Sequence, residues 1–166
     1  LSIGRLDGNL FFGVELEDID VTMNGKKVVE VKDVGLDYNG FTLTGGNVVL
    51  DDIRLNQPTI RLARTADGWN ITQLIKVRTP DPDEPKTRRP IEIGEIGVTD
   101  GALEFADQPV GTTGVNMPER IDKLNASIGV TSDENALHVD IGHVSLRAHE
   151  PRLGINDLSG QITRTE

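Results

Sequence analysis

The sequence has no cysteine among its 166 residues and few aromatic side chains: one Trp, one Tyr and four Phe. Without Cys, the chain has no disulfide framework, thiolate zinc site or cysteine nucleophile. It has no run of 18 apolar residues of the kind that a transmembrane helix needs. Basic residues are outnumbered by acidic ones, 17 against 27, for a formal charge of -10. Because this charge repels phosphate backbones, we expect no nucleic-acid partner.

Hydrophobic residues make up 36% of the chain. They are mainly Val, Ile and Leu, which favours strands over helices. From residue 1 to about 62 they recur with a period of two, which places them on one face of successive strands. Turn signals such as Asn24-Gly25 separate these runs and suit tight hairpins. The same alternation resumes after Pro90. We therefore predict a mainly β fold of repeated antiparallel strand pairs.

Three segments organise the chain. Residues 1–77 read as a β-meander with one short capping helix near 69–77, where Ile71, Leu74 and Ile75 have helical spacing. Residues 78–90 form a Pro-rich charged loop, and residues 91–166 continue the β-repeat pattern. The chain opens on Leu1 without a basic and apolar leader, so we expect one structural unit cut from a longer protein.

An internal repeat links the two halves at a separation of 43 residues. Apolar or turn residues stand at offsets 0, 2, 5, 7 and 9 in both copies: Ile53, Leu55, Pro58, Ile60 and Leu62, then Ile96, Val98, Gly101, Leu103 and Phe105. The step of three at Pro58 and Gly101 interrupts the period of two, which implies a bulge or a tight bend between paired strands. Such repetition suits a sheet that grows by adding strands.

Catalytic and metal-binding patterns are missing. The sequence contains no Gly-x-Ser-x-Gly elbow, no phosphate-binding Gly-Lys-Ser/Thr loop and no dinucleotide fingerprint. His138, His143 and His149 are spaced five and six apart, which is not a standard metal pattern. We therefore predict a protein that is not an enzyme, with no catalytic residues, no bound metal and no cofactor.

Several segments resemble the AsmA-like superfamily, which includes the AsmA and TamB types. Leu50 to Leu62 followed by the box Asp67-Gly68-Trp69-Asn70 resembles its strand pairs and its Asp-Gly-Trp-Asn box. Ile91 to Asp107 is similar to a second recurrent element of a strand, an Asp-Gly turn and a strand ending in Asp. The opening, Ile3 to Leu10, is similar to the start of TamB-type members just after their membrane anchor.

The resemblance implies the amino-terminal periplasmic segment of a bacterial cell-envelope protein, anchored in the inner membrane by a helix outside this chain. Such families are similar to bridge-like lipid transfer proteins, in which a strongly curved sheet with an apolar inner groove conducts phospholipid between inner and outer membranes. The implied partners are phospholipid and an outer-membrane barrel protein. The implied role is lipid transport in outer-membrane biogenesis.

If this interpretation holds, alternate residues of the strands line the lipid groove, while Arg54, Thr59 and Arg61 face water. The candidate lining residues are Ile19, Val21, Val34, Leu36, Ile53, Leu55, Ile60, Leu62, Ile96, Val98, Leu103 and Phe105. The alternative is a structural β-sandwich in which the same face packs against a second sheet as a dry core. Such a module would interact with an outer-membrane assembly partner through an exposed edge strand.

Overall fold

The computed structural model describes residues 1–9, 13–38, 40, 48–65, 68–71, 91–106, 118–132, 136–149 and 151–165. Nearly all of these residues are in β-strands. The strands are β1 (Ser2–Asn9), β2 (Gly13–Met23), β3 (Lys26–Tyr38), β4 (Val48–Asn56), β5 (Thr59–Thr65), β6 (Gly68–Trp69), β7 (Ile91–Ala106), β8 (Arg120–Ser132), β9 (Ala136–Ala148) and β10 (Leu153–Thr165). The prediction of a mainly β chain is confirmed.

The ten strands form one mixed sheet whose main path is β1-β2-β3-β4-β7-β8-β9-β10. β1 to β4 make one antiparallel meander, and β7 to β10 make a second. β5 follows β4 after a break at Gln57 and Pro58, and pairs with β3 and β7. The two meanders meet where β4 and β5 run parallel to β7.

This parallel joint aligns the two copies of the repeat. Residues of β4 and β5 pair with the β7 residues 43 positions later, as in Ile53 with Ile96 and Ile60 with Leu103. The two halves of a copy are not paired with each other across a tight bend as we predict from the sequence, because β7 runs unbroken from Ile91 to Ala106 and pairs with β4 and β5 in turn. The bulge is present, since the pairing of β7 with β8 shifts register between Val98 and Gly101.

A line of left-handed residues crosses the sheet at the steps of three. Its members have φ near +50° although none is Gly: Asp18 in β2, Gln57 between β4 and β5, Asp100 in β7 and Lys123 in β8. Each lies between two apolar or turn residues that are three positions apart, as Asp100 does between Val98 and Gly101. The left-handed residue shifts the alternation by one position, so that the apolar side chains before and after it lie on one face. We call this line the crease.

Other local expectations have mixed outcomes. The hairpin turn at Asn24-Gly25 is present, with positive φ at both residues as the turn requires. No complete helix is among the described residues: Gly68–Trp69 is a strand, Asn70 and Ile71 are helical, and the rest of the helix expected near 69–77 lies outside the described residues. The loop predicted at 78–90 also lies outside them.

Few apolar side chains of the described residues are buried. They are Ile19, Val28, Val31, Ala102 and Ala148. Most of the other apolar strand residues are half-buried, so the sheet has no deep two-layer core in the part that the structure describes. The apolar strand residues that the structure describes are therefore arranged along the sheet and not in a core between two layers.

Candidate functional site

Two rows of directly paired residues cross the whole sheet on one face. Residues paired directly across neighbouring strands point to the same side, so the strand register defines each row. The first row is Leu6, Leu16, Val34, Leu55, Val98, Ala126, Val144 and Leu158. The second row is Val14, Leu36, Ile53, Ile96, Ile128 and Ile141, with Gly8 and Gly160 at its ends. Eight strands spaced about 4.8 Å apart make the rows about 34 Å long.

A third row lies on the other side of the crease. It consists of Val21, Val29, Ile60, Leu103, Ile121, Ala148 and Leu153. A Cβ added to Gly101 would approach the side chains of Val98 and Pro58 at 3.1 and 3.2 Å, so the apolar residues before and after the crease share a face. We call the three rows together the apolar face.

The apolar face is only partly covered. In its central strands the first two rows are half-buried throughout. At the outer strands the coverage falls further, and Leu6 and Leu158 are 66% and 51% exposed. In a closed sandwich these rows would be fully buried, as the cores of packed sheets are. The arrangement leaves apolar surface available to a ligand.

An aromatic pair stands at one end of this face. Phe105 is paired with Leu62, beyond the third row. The Trp69 ring meets the Phe105 ring edge to face, with centroids 6.4 Å apart and planes at 73°. The pair bounds the apolar face where β5 and β7 end.

The structure brings the twelve predicted lining residues onto this one face. Val34, Leu55 and Val98 lie in the first row, and Leu36, Ile53 and Ile96 lie in the second. Val21, Ile60 and Leu103 lie in the third row, Leu62 is beside Phe105, and Ile19 pairs with Val31 and Ile3. Sequence reasoning missed the outer members Leu16, Ala126, Val144 and Leu158. Their own alternation is visible in the sequence, but only the register shows that they extend these rows.

The opposite face is polar and carries a charged ladder that crosses five strands. Lys27 binds Asp20 at 3.0 Å and Glu30 at 2.7 Å. Arg61 binds Glu30 and, through Nε at 2.8 Å, Glu104. Arg120 links Glu104 to Asp122, with its Nε 2.5 Å from the Asp122 carboxylate. Placing hydrocarbon there would strip water from these charges, so the polar face is unsuited to acyl chains.

The ladder shifts the ionisation of its members. The hydrogen bond from Lys27, followed by that from Arg61, lowers the pKa of Glu30 below its ordinary value. Near the crease, the hydrogen bond from Lys123 lowers the pKa of Asp100. Arg54 makes a separate clamp to Asp37 at 2.5 Å and to Asp52 at 2.7 Å. Arg54 and Arg61 therefore lie on the polar face, opposite the apolar rows.

Comparisons with protein-family models, with curated proteins and with solved structures find no match for this chain. Within the described ranges, no three His, Asp or Glu side chains converge as metal ligands would. A helix long and apolar enough to span a membrane is likewise not found there.

Proposed function

We propose that this chain binds phospholipid acyl chains on its apolar face and guides them across the sheet without covalent chemistry. The observation that carries the proposal is the pair of apolar rows, with side chains from eight strands in the first row and from six in the second, whose members in the central strands are half-buried. A row that crosses every strand gives a hydrocarbon chain similar surroundings at each step.

The energetics favour such a surface. A phospholipid has roughly 30 methylenes, and at about 0.8 kcal/mol each, moving it from a bilayer into water costs on the order of 20 kcal/mol. Contact with Val, Ile and Leu side chains removes much of that cost. The chain has few aromatic residues, so bulky rings do not fill the space above the rows that acyl chains need.

The cellular setting that we propose rests on the resemblance to the AsmA-like superfamily. In that setting the chain is a periplasmic segment of a protein attached to the bacterial inner membrane, and the lipid moves between the inner and outer membranes. A strongly curved sheet would turn the apolar face into a groove. The bulges at the crease support curvature, because a bulge bends its strand and increases local twist.

A second function, strand pairing with an envelope partner such as an outer-membrane barrel, is favoured by the outer strands. Every residue of β1 is exposed, and β1 pairs with β2 alone. Such an edge presents free backbone groups to an added strand. This role is compatible with lipid binding on the face.

Photocrosslinking tests the lipid proposal, and the absence of native Cys makes single-site labelling clean. Single cysteines at Ile53, Leu55, Ile60 and Leu62 carry a photoactivatable probe and are irradiated with phosphatidylcholine vesicles. We expect covalent lipid adducts at these four sites. The readout is the mass of the labelled protein.

Matched controls come from the same two strands. Probes at Arg54, Thr59 and Arg61 should give no adduct, because these residues lie on the polar face. If no site captures lipid and the apolar cysteines instead reduce stability, the face is a dry core and the structural interpretation replaces transport. Equal labelling on both faces would also contradict the proposal.

A further inference from the structure

Strands β7 and β8 contain two opposing bulges where the crease crosses them. In the first bulge β7 has one residue more than β8, and in the second β8 has one residue more than β7. The left-handed residues Asp100 of β7 and Lys123 of β8 lie in these bulges, one in each. Because the two extra residues compensate, the strands stay in register on both sides of the crease. The pairs that define the bulges are Val98 with Ala126, Gly101 with Leu124, and Leu103 with Ile121.

The two bulges decide on which face the third row lies. A regular ladder without bulges could join the same two end pairs, which are five positions apart on both strands. Side chains five positions apart in a regular strand point to opposite faces. Leu103 and Ile121 would then lie on the polar face, and their charged neighbours Glu104 and Arg120 would lie on the apolar face. The position of the third row therefore depends on the bulges.

The Asn125 side chain binds the backbone at both bulges. Its Oδ1 accepts a hydrogen bond from the Asp100 amide at 3.0 Å, and its Nδ2 donates to the Lys123 carbonyl at 3.0 Å. The Asp100 carboxylate also binds Lys123 Nζ at 2.8 Å, which joins the two left-handed residues directly. A side-chain amide supplies an acceptor and a donor together, which neither a carboxylate nor an alkyl group does. Since Asn125 is half-buried, its loss would leave these backbone groups with restricted access to water.

We propose that Asn125 is a positioning residue that keeps the third row on the apolar face. Its bonds to the two left-handed residues belong to the bulged pairing, so they favour that pairing over the regular ladder. Asn125 itself lies on the polar side, between Leu124 and Ala126, and acts through the backbone. The inference rests on the proposed lipid function, because the third row widens the surface that is offered to acyl chains.

Methyl NMR of the full chain tests the geometry without lipid. Ile121 lies opposite Ala148 in the third row. On the same strand, Ala126 lies opposite Val144 in the first row. Both pairs should give methyl nuclear Overhauser effects in the wild type, since opposed Cβ atoms are about 5 Å apart. In Asn125→Leu the Ile121–Ala148 effect should weaken severalfold, whereas the Ala126–Val144 effect should persist.

Photocapture of phosphatidylcholine then connects this geometry to lipid. Single probes at Ile121 and Ala126 lie on one strand, on the two sides of the second bulge. We expect Asn125→Leu to lower the ratio of adducts at Ile121 to adducts at Ala126 severalfold. If the wild type captures lipid at neither site while the methyl contact still depends on Asn125, the lipid function fails and the positioning role stands as a property of the fold.

Two further variants make the result specific. Asn56→Leu is the matched control, because Asn56 donates to the Asp33 carboxylate and not to a backbone group, so the third-row contact should be unchanged. Asn125→Asp keeps an acceptor for the Asp100 amide, so the contact should persist in that variant even if Asn125→Leu fails to fold. A full-strength contact in Asn125→Leu overturns the proposal, and so does loss of the contact in Asn125→Asp or in Asn56→Leu.

Discussion

Non-glycine residues take left-handed backbone angles at four points of the crease, and each allows a strand to change its alternation without turning an apolar side chain toward water. At Gln57 the φ angle is 50°. A left-handed conformation costs a non-glycine residue about 1–2 kcal/mol, and the cost is larger when the side chain is β-branched. The pairing of the surrounding strands therefore maintains the left-handed conformation at each position, because the residue itself does not favour it.

Substitutions at Gln57 should reveal this backbone strain. We expect Gln57→Val to lower the free energy of unfolding by about 1–2 kcal/mol relative to Gln57→Gly, because only Gly adopts positive φ freely. At Thr59, in extended conformation two residues later, the order should reverse, with Val more stable than Gly. Urea unfolding of the four variants measures both differences. The same order at both positions would exclude a left-handed residue at 57.

Trp69, the only Trp in the sequence, reports on the end of the apolar face. We expect phosphatidylcholine with brominated acyl chains to quench its fluorescence more than unbrominated lipid does, since acyl chains on the third row would reach the aromatic pair. A control protein with Trp69→Phe and Thr99→Trp carries its indole on the polar face. Quenching of that control to the same extent would mean that the bromines are not confined to the apolar face.

Residue patterns in the sequence predicted which side chains share a face, because alternation is a local property of each strand. Ile53 and Leu55 illustrate this: their shared face follows from a spacing of two. The full rows could not be predicted in the same way. That Leu55 lies beside Val98, and Val98 beside Ala126, depends on pairings between distant strands. The box residue Asn70 was noticed as a motif, but its backbone partners are fixed only by the fold.

Among the elements, the joint between β4–β5 and β7 shows how a correct sequence observation led to a wrong structural interpretation. The 43-residue repeat was visible, and its step of three did mark a bulge. We interpret each copy as two paired strands because the step of three interrupts the alternation, as a bulge or a tight bend does. Here the copies themselves are the neighbours, and they are parallel. Nothing in a single copy indicates which strand it will pair with.

The charged ladder connects elements on the polar face, and its contribution should depend on pH. The folded-state pKa of Glu30 is below its ordinary value, so its ion pairs stabilise the fold above that value and are lost as the pH falls through the folded pKa. We expect the free energy of unfolding to decrease below about pH 4. The Glu30→Gln variant should lose less between pH 5 and pH 3 than the wild type, by under about 1 kcal/mol.

Denaturant titrations at pH 7, 5 and 3 measure this effect. Asp100, whose pKa is lowered by Lys123, titrates in the same range, so its contribution remains in both proteins and cancels in the comparison. Identical losses of stability for Glu30→Gln and the wild type would show that the ladder does not stabilise the folded sheet.

In the whole molecule, the register of strand pairing determines which residues form the apolar face and which form the polar face. The crease keeps hydrocarbon side chains on one face in the strands that it crosses, and acid–base pairs occupy the other face. The net charge of -10 makes copies of the chain repel each other, which opposes their association through the half-covered face. The apolar face can thus stay open without a second sheet to cover it.

The parallel joint also has a consequence for how the chain reaches this structure. Within each meander, neighbouring strands are joined by connections of 2 to 13 residues, whereas the residues that pair between β4 and β7 are 43 positions apart. Closing a loop of that length costs about 3 kcal/mol of chain entropy before any pairing is gained. The two meanders should therefore form first and independently, and their union at the centre of the sheet should set the folding rate.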